Sequence, residues 1–269
     1  VSAIYELPEE FREAVLLRRE FGPARAVIGN NVLAHVDDPV DFLRGFKALL
    51  DDTGLAICEV PELNEFVERG EYDTVYHEHL SYFSVTSLMR VCEEAGLRVV
   101  RIDHRAVHGG SVRMYAAPVE RVREHAPEVV ALSTQERSAG IASPQRLRHF
   151  AREVEAQRAG LLELLHGLKR EHKSVAGYGA PAKGNTLLNY CGITTDLLPY
   201  TVDKSPLKVG LYTPGSHLPV LPAKTLVERQ PDYCLILAWN FADEIMRQQA
   251  EFARRGGRFI VPIPRARIV

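Results

Sequence analysis

Hydrophobic positions in the first half of the chain recur with the spacing of helices and strands in turn. Apolar residues three and four positions apart predict amphipathic helices, and short uninterrupted apolar runs predict buried strands. Gly96 ends the last of these helices, and the two strands that follow are close enough along the chain to be antiparallel neighbours. Helices are predicted at residues 8–21, 42–50 and 86–95, and strands at residues 24–29, 55–60, 97–102 and 111–116.

The second half repeats this alternation after one long helix. Residues 120–143 are polar and less patterned, and residues 144–172 then predict an amphipathic helix that could connect two domains. Its apolar stripe consists of Leu147, Phe150, Val154, Leu161, Leu165 and Leu168. Strands are predicted at residues 174–177, 198–202, 233–238 and 258–261, and helices at residues 182–189, 225–229 and 242–254. Such alternation predicts an α/β fold, with a parallel sheet covered by helices on both faces.

Composition narrows the class of protein without identifying it. The 269 residues, of which 46% are hydrophobic and 25% charged, fit one large globular domain or two smaller ones. A net charge of −2 argues against nucleic-acid binding, which needs a concentrated basic surface. The sequence contains no run of 18 apolar residues, so it predicts no membrane-spanning helix. Its four cysteines are scattered and form no CxxC pair, which favours a reduced, cytoplasmic protein without a cysteine zinc site. The first residue is Val rather than Met, which fits either an unusual start codon or a missing N-terminal part.

Polar residues gather where the first predicted strand ends. Asn30, Asn31 and His35 lie between a strand and a helix, and α/β sheets bind ligands at the carboxyl ends of their strands. The alternative is a polar turn in which Asp37 or Asp38 caps the following helix.

The segment Asp73–Tyr82 is dense in groups that exchange protons. His77 and His79, two positions apart, are expected to share one face of an extended segment, with Glu78 pointing away. Because no third ligand stands at a metal-site spacing, acid–base chemistry by a histidine beside a carboxylate is favoured over metal binding. The alternative is a hydrogen-bonded loop.

A third polar cluster spans His108–Arg113. Its two glycines would let the backbone approach a ligand closely, while Ser111 and Arg113 supply donors. A Gly-Gly hairpin turn explains the same residues equally well.

A glycine-rich loop, GYGAPAKGN at residues 177–185, follows a predicted strand and opens a helix, and Asp203 ends the next strand. This resembles a dinucleotide-binding fingerprint, in which small residues permit a tight turn and helix amides face an anion. The spacing departs from GxGxxG, and Pro181 removes an amide donor that the charge of Lys183 would offset. A phosphate-bearing ligand is therefore favoured over NAD specifically, with a glycine turn used for packing as the alternative.

Further polar residues follow neighbouring strands at the same predicted sheet edge. The rigid loop over residues 204–222 carries Lys204 and His217, and Asn240 follows the strand at residues 233–238. A long polar loop at the carboxyl end of a strand suits sugar or nucleotide binding, and loop and cap chemistry is the alternative.

Taken together, these motifs resemble the sugar C-methyltransferases of deoxysugar biosynthesis, which act on nucleotide-linked 4-keto sugars. The segments that carry the resemblance are NNVLAHVDD, EVPELNE, YDTVYHEHLSYFS, HGGSVRMY, GYGAPAKGNTLLNYCGI, VDKSPLKVGLYTPGSHLPV and ILAWNF, between residues 30 and 241.

The resemblance implies a three-part plan: a zinc-binding domain, a domain that binds S-adenosylmethionine, and a Rossmann-like domain that helps to hold the nucleotide sugar. This chain lacks a zinc-ligand cysteine cluster and a Gly-rich cofactor motif, and its first strand resembles the fourth of that fold. We therefore expect an incomplete class I methyltransferase-like Rossmann domain over residues 1–118, a helical connector over residues 119–172, and a Rossmann-like domain over residues 173–269. Half a parallel sheet would expose an unpaired edge, so either another polypeptide supplies the missing half, or the chain is a fragment, or the fold has rearranged.

The resemblance also implies a reaction and its residues. A base removes the proton next to the ketone, and the resulting enolate carbon takes the methyl group from S-adenosylmethionine. His79 would be the base and Glu78 a proton shuttle, while Tyr76 and His35 would orient or stabilise the enolate oxygen. Asn30 and Asn31 are expected to contact S-adenosylmethionine. The residues expected to contact the nucleotide sugar, taken as dTDP-linked, are Tyr82, His108, Ser111, Arg113, Tyr178, Lys183, Asn185, Asp203, Lys204, His217 and Asn240.

Two other functions remain open at this point. The chain could be a nucleotide-sugar-binding fragment or partner subunit without catalysis of its own. It could also be an NAD(P)-dependent oxidoreductase that uses the glycine-rich loop, although that reading leaves the YHEH motif unexplained.

Overall fold

The structure, a computed structural model, describes residues 9–105 and 110–269, and the chain in it divides into two compact units. Unit one holds the described residues up to Val67 together with His77–Leu147, and unit two holds Glu68–Tyr76 together with Arg148–Val269. These units do not follow the boundaries expected at residues 118 and 172, because most of the long helix that begins at residue 144 belongs to unit two. The division into three functional parts stays a prediction.

Unit one is a mixed α/β layer. Its strands, β1 to β4, form a sheet of order β1-β2-β4-β3, in which β1 is parallel to β2 and β4 is antiparallel to both neighbours. This confirms that the last two strands are antiparallel neighbours. The strands are β1 (Ala24–Asn30), β2 (Leu50–Pro61), β3 (Leu97–Arg105) and β4 (Ser111–Pro118), and the helices are α1 (Glu9–Phe21), α2 (Pro39–Leu49), α3 (Leu63–Arg69), α4 (Val85–Glu94) and α5 (Pro127–Ala139).

Side-chain caps fix where two of these helices begin. Asp38 accepts hydrogen bonds from the first backbone amides of α2, as one alternative for the Asn30–Pro39 segment predicted. Ser84 and Ser87 form a capping box on α4. The buried Glu136 of α5 accepts hydrogen bonds from the amides of Val85 at 2.7 Å and Thr86 at 2.8 Å, so a second helix also caps α4.

Unit two is a doubly wound sheet of order β10-β9-β8-β5-β6-β7, in which β10 is antiparallel and the other strands are parallel. The strands are β5 (Val175–Tyr178), β6 (Thr201–Asp203), β7 (Val220–Pro222), β8 (Tyr233–Ile236), β9 (Arg258–Val261) and β10 (Arg267–Ile268). The helices are α6 (Pro144–Arg170), α7 (Ala182–Cys191), α8 (Thr225–Arg229), α9 (Ala242–Gln248) and α10 (Ala250–Arg254). The predicted α/β class is confirmed. Because β6 lies on one side of β5 and β8 on the other, the strand order reverses at β5, which is where such sheets bind ligands.

Several sequence-based expectations need correction. A helix, α5, occupies part of the less patterned segment at residues 120–143, within the predicted helical connector, and the predicted helix at residues 242–254 is two short helices. The strands β7 and β10 were not predicted. Residues 76–78 form a bend and turn rather than an extended segment.

All four cysteines are buried and free, with two in each unit. Cys58 and Cys92 lie in unit one, and Cys191 and Cys234 lie in unit two. Burial raises the pKa of Cys58 to about 12, and it also raises the pKa of the other three thiols. Among the described residues, none of the helices is both long and apolar enough to cross a membrane.

Candidate functional site

Two sequence-distant motifs of unit one meet at a pair of histidines. After β1 the chain makes a 3-10 turn, Leu33–His35, whose Ala34 carbonyl accepts hydrogen bonds from the amides of Leu80 at 2.9 Å and Ser81 at 3.2 Å. This tether brings the rings of His35 and His79 to 4.9 Å between centroids, in an edge-to-face arrangement. The structure thus joins the polar turn after β1 to the YHEH motif.

Tyr82 extends this group of rings. Its ring centroid lies 6.2 Å from that of His79 and 5.2 Å from that of Phe66. Packing against these aromatic rings limits the orientations that the His79 imidazole can adopt. His35, His79 and Tyr82 therefore form one cluster, which we call the histidine cluster.

The other residues of the YHEH motif lie differently from the expectation. His77 and Glu78 sit in an exposed turn, with side chains 89% and 58% exposed, and their Nε2 and Oε1 atoms are 4.0 Å apart. The expectation that His77 shares a face with His79 while Glu78 points away is therefore wrong. Tyr76 is half-buried and belongs to unit two.

Asn30 and Asn31 end β1 with exposed side chains. Asn31 adopts a left-handed backbone with φ of 56°, and its amide donates to the Glu59 carbonyl at 2.8 Å. The side-chain amides of Asn30 and Asn31 are exposed hydrogen-bonding groups at the carboxyl end of a strand. They could therefore contact one side of a nucleoside ligand such as S-adenosylmethionine. β1 is an edge strand of the described sheet, and Ile28 on it is 62% exposed, so its face is not covered there. The described residues therefore form no complete cofactor site.

The third predicted cluster is engaged in the sheet. Arg113 of β4 donates from Nε and Nη2 to Glu59 Oε2 of β2, at 2.9 and 2.7 Å, so its guanidinium is already paired. Ser111 is buried at the start of β4. His108 lies outside the described residues.

One acidic residue near this sheet edge was missed by the sequence reasoning. Glu62, directly after β2, is buried, and its Oε2 lies 3.0 Å from His104 Nδ1. Burial raises the pKa of the Glu62 carboxyl, while His104 opposes that rise. The available signal was a carboxylate immediately after a buried strand.

In unit two a cleft of about 290 Å³ opens at the carboxyl ends of β5, β6 and β8. Tyr178, Asp203 and Lys204 line it, as expected for a ligand site at the point where the strand order reverses. Further lining residues are Gly179, Pro181, Lys208, Ala238, Phe241, Glu244 and Ile245.

Glycines allow the loop after β5 to approach the sheet. Gly179 has a φ of +93°, a region that disfavours side chains, and a Cβ at Gly184 would lie 2.9 Å from Leu237 Cβ. Gly184 therefore lets α7 pack closely on the strand segment around Leu237. That is the role of the third glycine in a dinucleotide fingerprint, here two positions later than usual.

Asp203 ties this loop to β6. Its Oδ2 accepts from the Ala180 amide at 2.7 Å, and its Oδ1 accepts from the Ser205 amide at 2.8 Å. Lys208 reaches the same loop by donating to the Ala180 carbonyl at 3.0 Å. The Asp203 carboxylate thus lines the cleft and also fixes the position of the loop beneath it.

Four residues predicted for this cleft are not among its lining residues: Lys183, Asn185, His217 and Asn240. His217 is exposed and comes before β7, at the amino end of that strand, whereas the cleft lies at carboxyl ends. The side-chain oxygens of Asn185 and Asn240 are buried without a hydrogen bond among the described residues. The Lys183 ammonium lies 4.4 Å from the ring centroid of Trp239.

A buried carboxyl accompanies Lys183, and the sequence reasoning passed over it. Asp73 is 0% exposed, and its Oδ2 accepts a hydrogen bond from Trp239 Nε1 at 2.6 Å. Burial raises the pKa of Asp73 to about 6, although the charge of Lys183 works in the opposite direction. Asp73 is the first residue of the segment Asp73–Tyr82, but no local sequence pattern predicts its partners, Lys183 in α7 and Trp239 after β8.

Metal binding has no support in the part of the chain that the structure describes. No group of three His, Cys, Asp or Glu side chains there is arranged to hold a metal ion.

Comparison with known proteins gives a consistent assignment. A family model for a methyltransferase domain matches residues 8–102, and a model for the C-methyltransferase C-terminal domain matches residues 106–264. The C-methyltransferase NovU of Streptomyces niveus is 44% identical over 248 residues, which cover 92% of this chain and 59% of NovU. The chain therefore spans less than two thirds of that relative's length.

Solved structures are similar over about a third of the chain. Magnesium protoporphyrin IX methyltransferase (ChlM) from Synechocystis PCC 6803, with bound SAH, matches 36% of this chain and 45% of its own, with 13% identity and a TM-score of 0.29. The O-methyltransferase NcsB1 from neocarzinostatin biosynthesis matches 36% of this chain and 30% of its own, with 20% identity and a TM-score of 0.27. The family assignment rests on the sequence matches: since the C-terminal domain model alone covers residues 106–264 of 269, the chain belongs to the C-methyltransferase family.

Proposed function

We propose that this chain takes part in S-adenosylmethionine-dependent C-methylation of a nucleotide-linked 4-keto deoxysugar. Family membership supports carbon methylation, and the cleft of unit two supports a nucleotide-bearing substrate. The observation that carries the proposal is the contact between the His35 and His79 rings, because it joins two separate polar motifs into one acid–base group.

The chemistry assigned to the histidine cluster is enolisation. His79 takes the proton from the carbon next to the ketone, and the electron pair of that C–H bond moves into the enolate. His35, whose ring touches that of His79, is assigned to stabilise the enolate oxygen. Glu78, in its exposed turn, is suited to pass the proton to water. When bound, S-adenosylmethionine supplies an electrophilic methyl group, and Asn30 and Asn31 would contact one side of it.

The nucleotide is assigned to the cleft of unit two. The amino end of α7 supplies positive potential for a diphosphate. The ammonium groups of Lys204 and Lys208 lie 3.6 Å from Glu244 Oε1 and 3.8 Å from Asp203 Oδ2, so a phosphate would have to share them with these carboxylates. Tyr178 lines the cleft but is only 3% exposed, so it contributes to the cleft mainly as a packed wall at the end of β5. Lys183 is assigned no direct phosphate contact, because its ammonium is buried against Trp239.

A deuterium-exchange assay tests the enolisation step without the cofactor. The 269-residue chain is incubated in D₂O with a dTDP-4-keto-6-deoxysugar, and the sugar's mass is followed for deuterium uptake at the carbon next to the ketone. We expect His79→Asn to lose about 10²–10⁴ in exchange rate, the usual contribution of a general base.

His77→Asn is the matched control, since His77 is two positions away and almost fully exposed. It should exchange at the wild-type rate. Near-normal exchange by His79→Asn, or equal losses in both variants, would remove His79 from the role of base.

A non-catalytic alternative is favoured by one observation, the open edge at β1 beside Asn30 and Asn31. On that alternative the chain binds the nucleotide sugar, and another polypeptide completes the methyltransferase sheet. Calorimetry would then show dTDP-sugar binding while the exchange assay stays at the uncatalysed rate. Adding S-adenosylmethionine and looking for a 14-dalton gain in the sugar separates whole catalysis from either partial role.

A further inference from the structure

Three side chains of unit two form a polar cluster, which we call the anchor: Asp73, which is buried, and Lys183 and Trp239, which are half-buried. Asp73 Oδ2 accepts from the indole N–H at 2.6 Å, and the Lys183 ammonium lies over the same indole at 4.4 Å. Asp73 Oδ1 and Lys183 Nζ are both buried, and neither has a hydrogen-bond partner among the described residues. The indole is therefore held at its edge by a carboxyl group and on its face by an ammonium.

The anchor is connected through the backbone to two walls of the cleft. Trp239 lies between Ala238 and Phe241, which both line the cleft, in a 3-10 turn after β8. Lys183 is in the first turn of α7, two residues after Pro181, which also lines the cleft. The anchor residues themselves are not among the lining residues, so any effect on a ligand must pass through these walls.

Asp73 enters unit two from a separate stretch of chain. The segment Glu68–Tyr76 belongs to this unit, and within it Tyr72 contacts α7, with its hydroxyl 3.5 Å from Cys191 Sγ. A fully buried carboxyl group costs free energy on folding unless its partners compensate, and an apolar residue would fill the space more cheaply.

We propose that Asp73 is a positioning residue for the nucleotide-binding cleft. Acting through the indole of Trp239 and the ammonium of Lys183, it holds the turn after β8 and the start of α7 at the spacing that receives a nucleoside diphosphate. This inference rests on the proposed function, in which the cleft binds the nucleotide part of the substrate.

Trp239 is the sole tryptophan of the chain and so reports directly on the anchor. Burial raises the pKa of Asp73 to about 6, and the charged or titratable groups around it are Lys183 and Tyr72. We expect the Trp239 emission of the ligand-free protein to change between about pH 5 and pH 7 as Asp73 ionises. The same titration should be flat in Asp73→Asn.

The test compares dTDP affinity by calorimetry in the full chain at pH 7.5. Asp73→Ala should weaken binding about tenfold, equivalent to about 1.4 kcal/mol. Asp73→Asn keeps an acceptor for the indole N–H and should recover part of that loss, to about threefold weaker than wild type. Tyr72→Phe is the matched control, since it removes one hydroxyl from the same buried turn and should bind like wild type.

A double-mutant cycle distinguishes action through Trp239 from a general loss of packing. Trp239→Phe removes the N–H, so adding Asp73→Asn to it should weaken dTDP binding much less than Asp73→Asn does alone. This cycle remains decisive if Asp73→Ala fails to fold.

Three outcomes overturn the proposal in different ways. Wild-type affinity in both Asp73 variants refutes the positioning role and leaves the proposed function standing. Full additivity of Asp73→Asn and Trp239→Phe shows that Asp73 does not act through the indole. If wild-type protein binds no dTDP at all, the nucleotide assignment fails, and the positioning role fails with it, whatever the emission titration shows.

Discussion

Gly184 and Gly160 offer opposite outcomes for the same substitution within unit two. Both are helical glycines, Gly184 in α7 and Gly160 in α6. A Cβ at Gly184 would lie 2.9 Å from Leu237 Cβ and 3.0 Å from Pro181 Cδ, whereas a Cβ at Gly160 would meet no heavy atom within 4 Å. The two sites therefore differ in space and not in backbone type.

The expected magnitudes follow from this difference. Replacing glycine by alanine inside a helix gains about 0.8–1 kcal/mol of stability, and Gly160→Ala should show this gain in full. At Gly184 the new methyl group is closer than the ~3.5–4.0 Å of a normal carbon contact. Overpacking of this kind costs about 1–3 kcal/mol, which more than offsets the gain in propensity. We expect Gly184→Ala to be destabilised by about 1 kcal/mol, and the two variants to differ by about 2 kcal/mol.

Urea unfolding followed by the emission of Trp239 measures the stability of unit two in both variants. Gly184→Ala should also weaken dTDP binding, because the displaced start of α7 carries Pro181 into the cleft. Gly160→Ala should leave binding unchanged. If Gly184→Ala proves as stable as Gly160→Ala, the close packing of α7 against Leu237 is refuted.

Three further predictions concern single carboxylates. Glu136→Ala should destabilise unit one by about 3 kcal/mol and Glu136→Gln by about 1 kcal/mol, because the carboxylate accepts from two amides at the start of α4 and glutamine keeps one acceptor. Urea unfolding followed by circular dichroism measures both losses, and losses below about 0.5 kcal/mol in both variants would contradict the cap. Asp73 has a pKa raised from 3.8 to about 6, so the folded protein holds this proton more firmly than the unfolded chain, and its contribution to stability should be lost as the pH rises from about 4 to about 6; Asp73→Asn should remove that slope from a series of urea midpoints. Asp203→Ala frees the Ala180 and Ser205 amides and should weaken dTDP binding about tenfold by calorimetry, whereas unchanged affinity would separate Asp203 from the cleft.

Strong periodicity made most elements predictable, and its absence explains the principal omission. The buried face of α5 includes Ser133 and Glu136, which bond to α4, so its apolar stripe is too weak to read from sequence. The strand β7 has three residues, Val220–Pro222, and is stabilised by pairing with β6 rather than by a pattern of its own.

Site residues could be predicted where strand topology determines their position, and could not be predicted where side-chain packing determines it. Parallel strands place their carboxyl ends at one edge, which correctly grouped Tyr178 with Asp203 and Lys204. The direction of Lys183 depends on Trp239, 56 positions further along the chain, and Asp73 finds its hydrogen bond 166 positions away. No local pattern specifies such pairs. His217 lies away from the cleft because β7, which the sequence did not predict, places the preceding loop at the amino end of the strands.

Alkylation of the buried thiols can report how often each unit of the chain unfolds. Each unit encloses two cysteines whose thiols are shielded from solvent and kept protonated, so a pulse of alkylating reagent should leave the folded chain unmodified. Any unit that opens during the pulse gains two adducts, and digestion assigns them to Cys58 and Cys92 or to Cys191 and Cys234. The distribution of masses between zero, two and four adducts would then tell whether the two halves of this chain come apart as one cooperative body or as two.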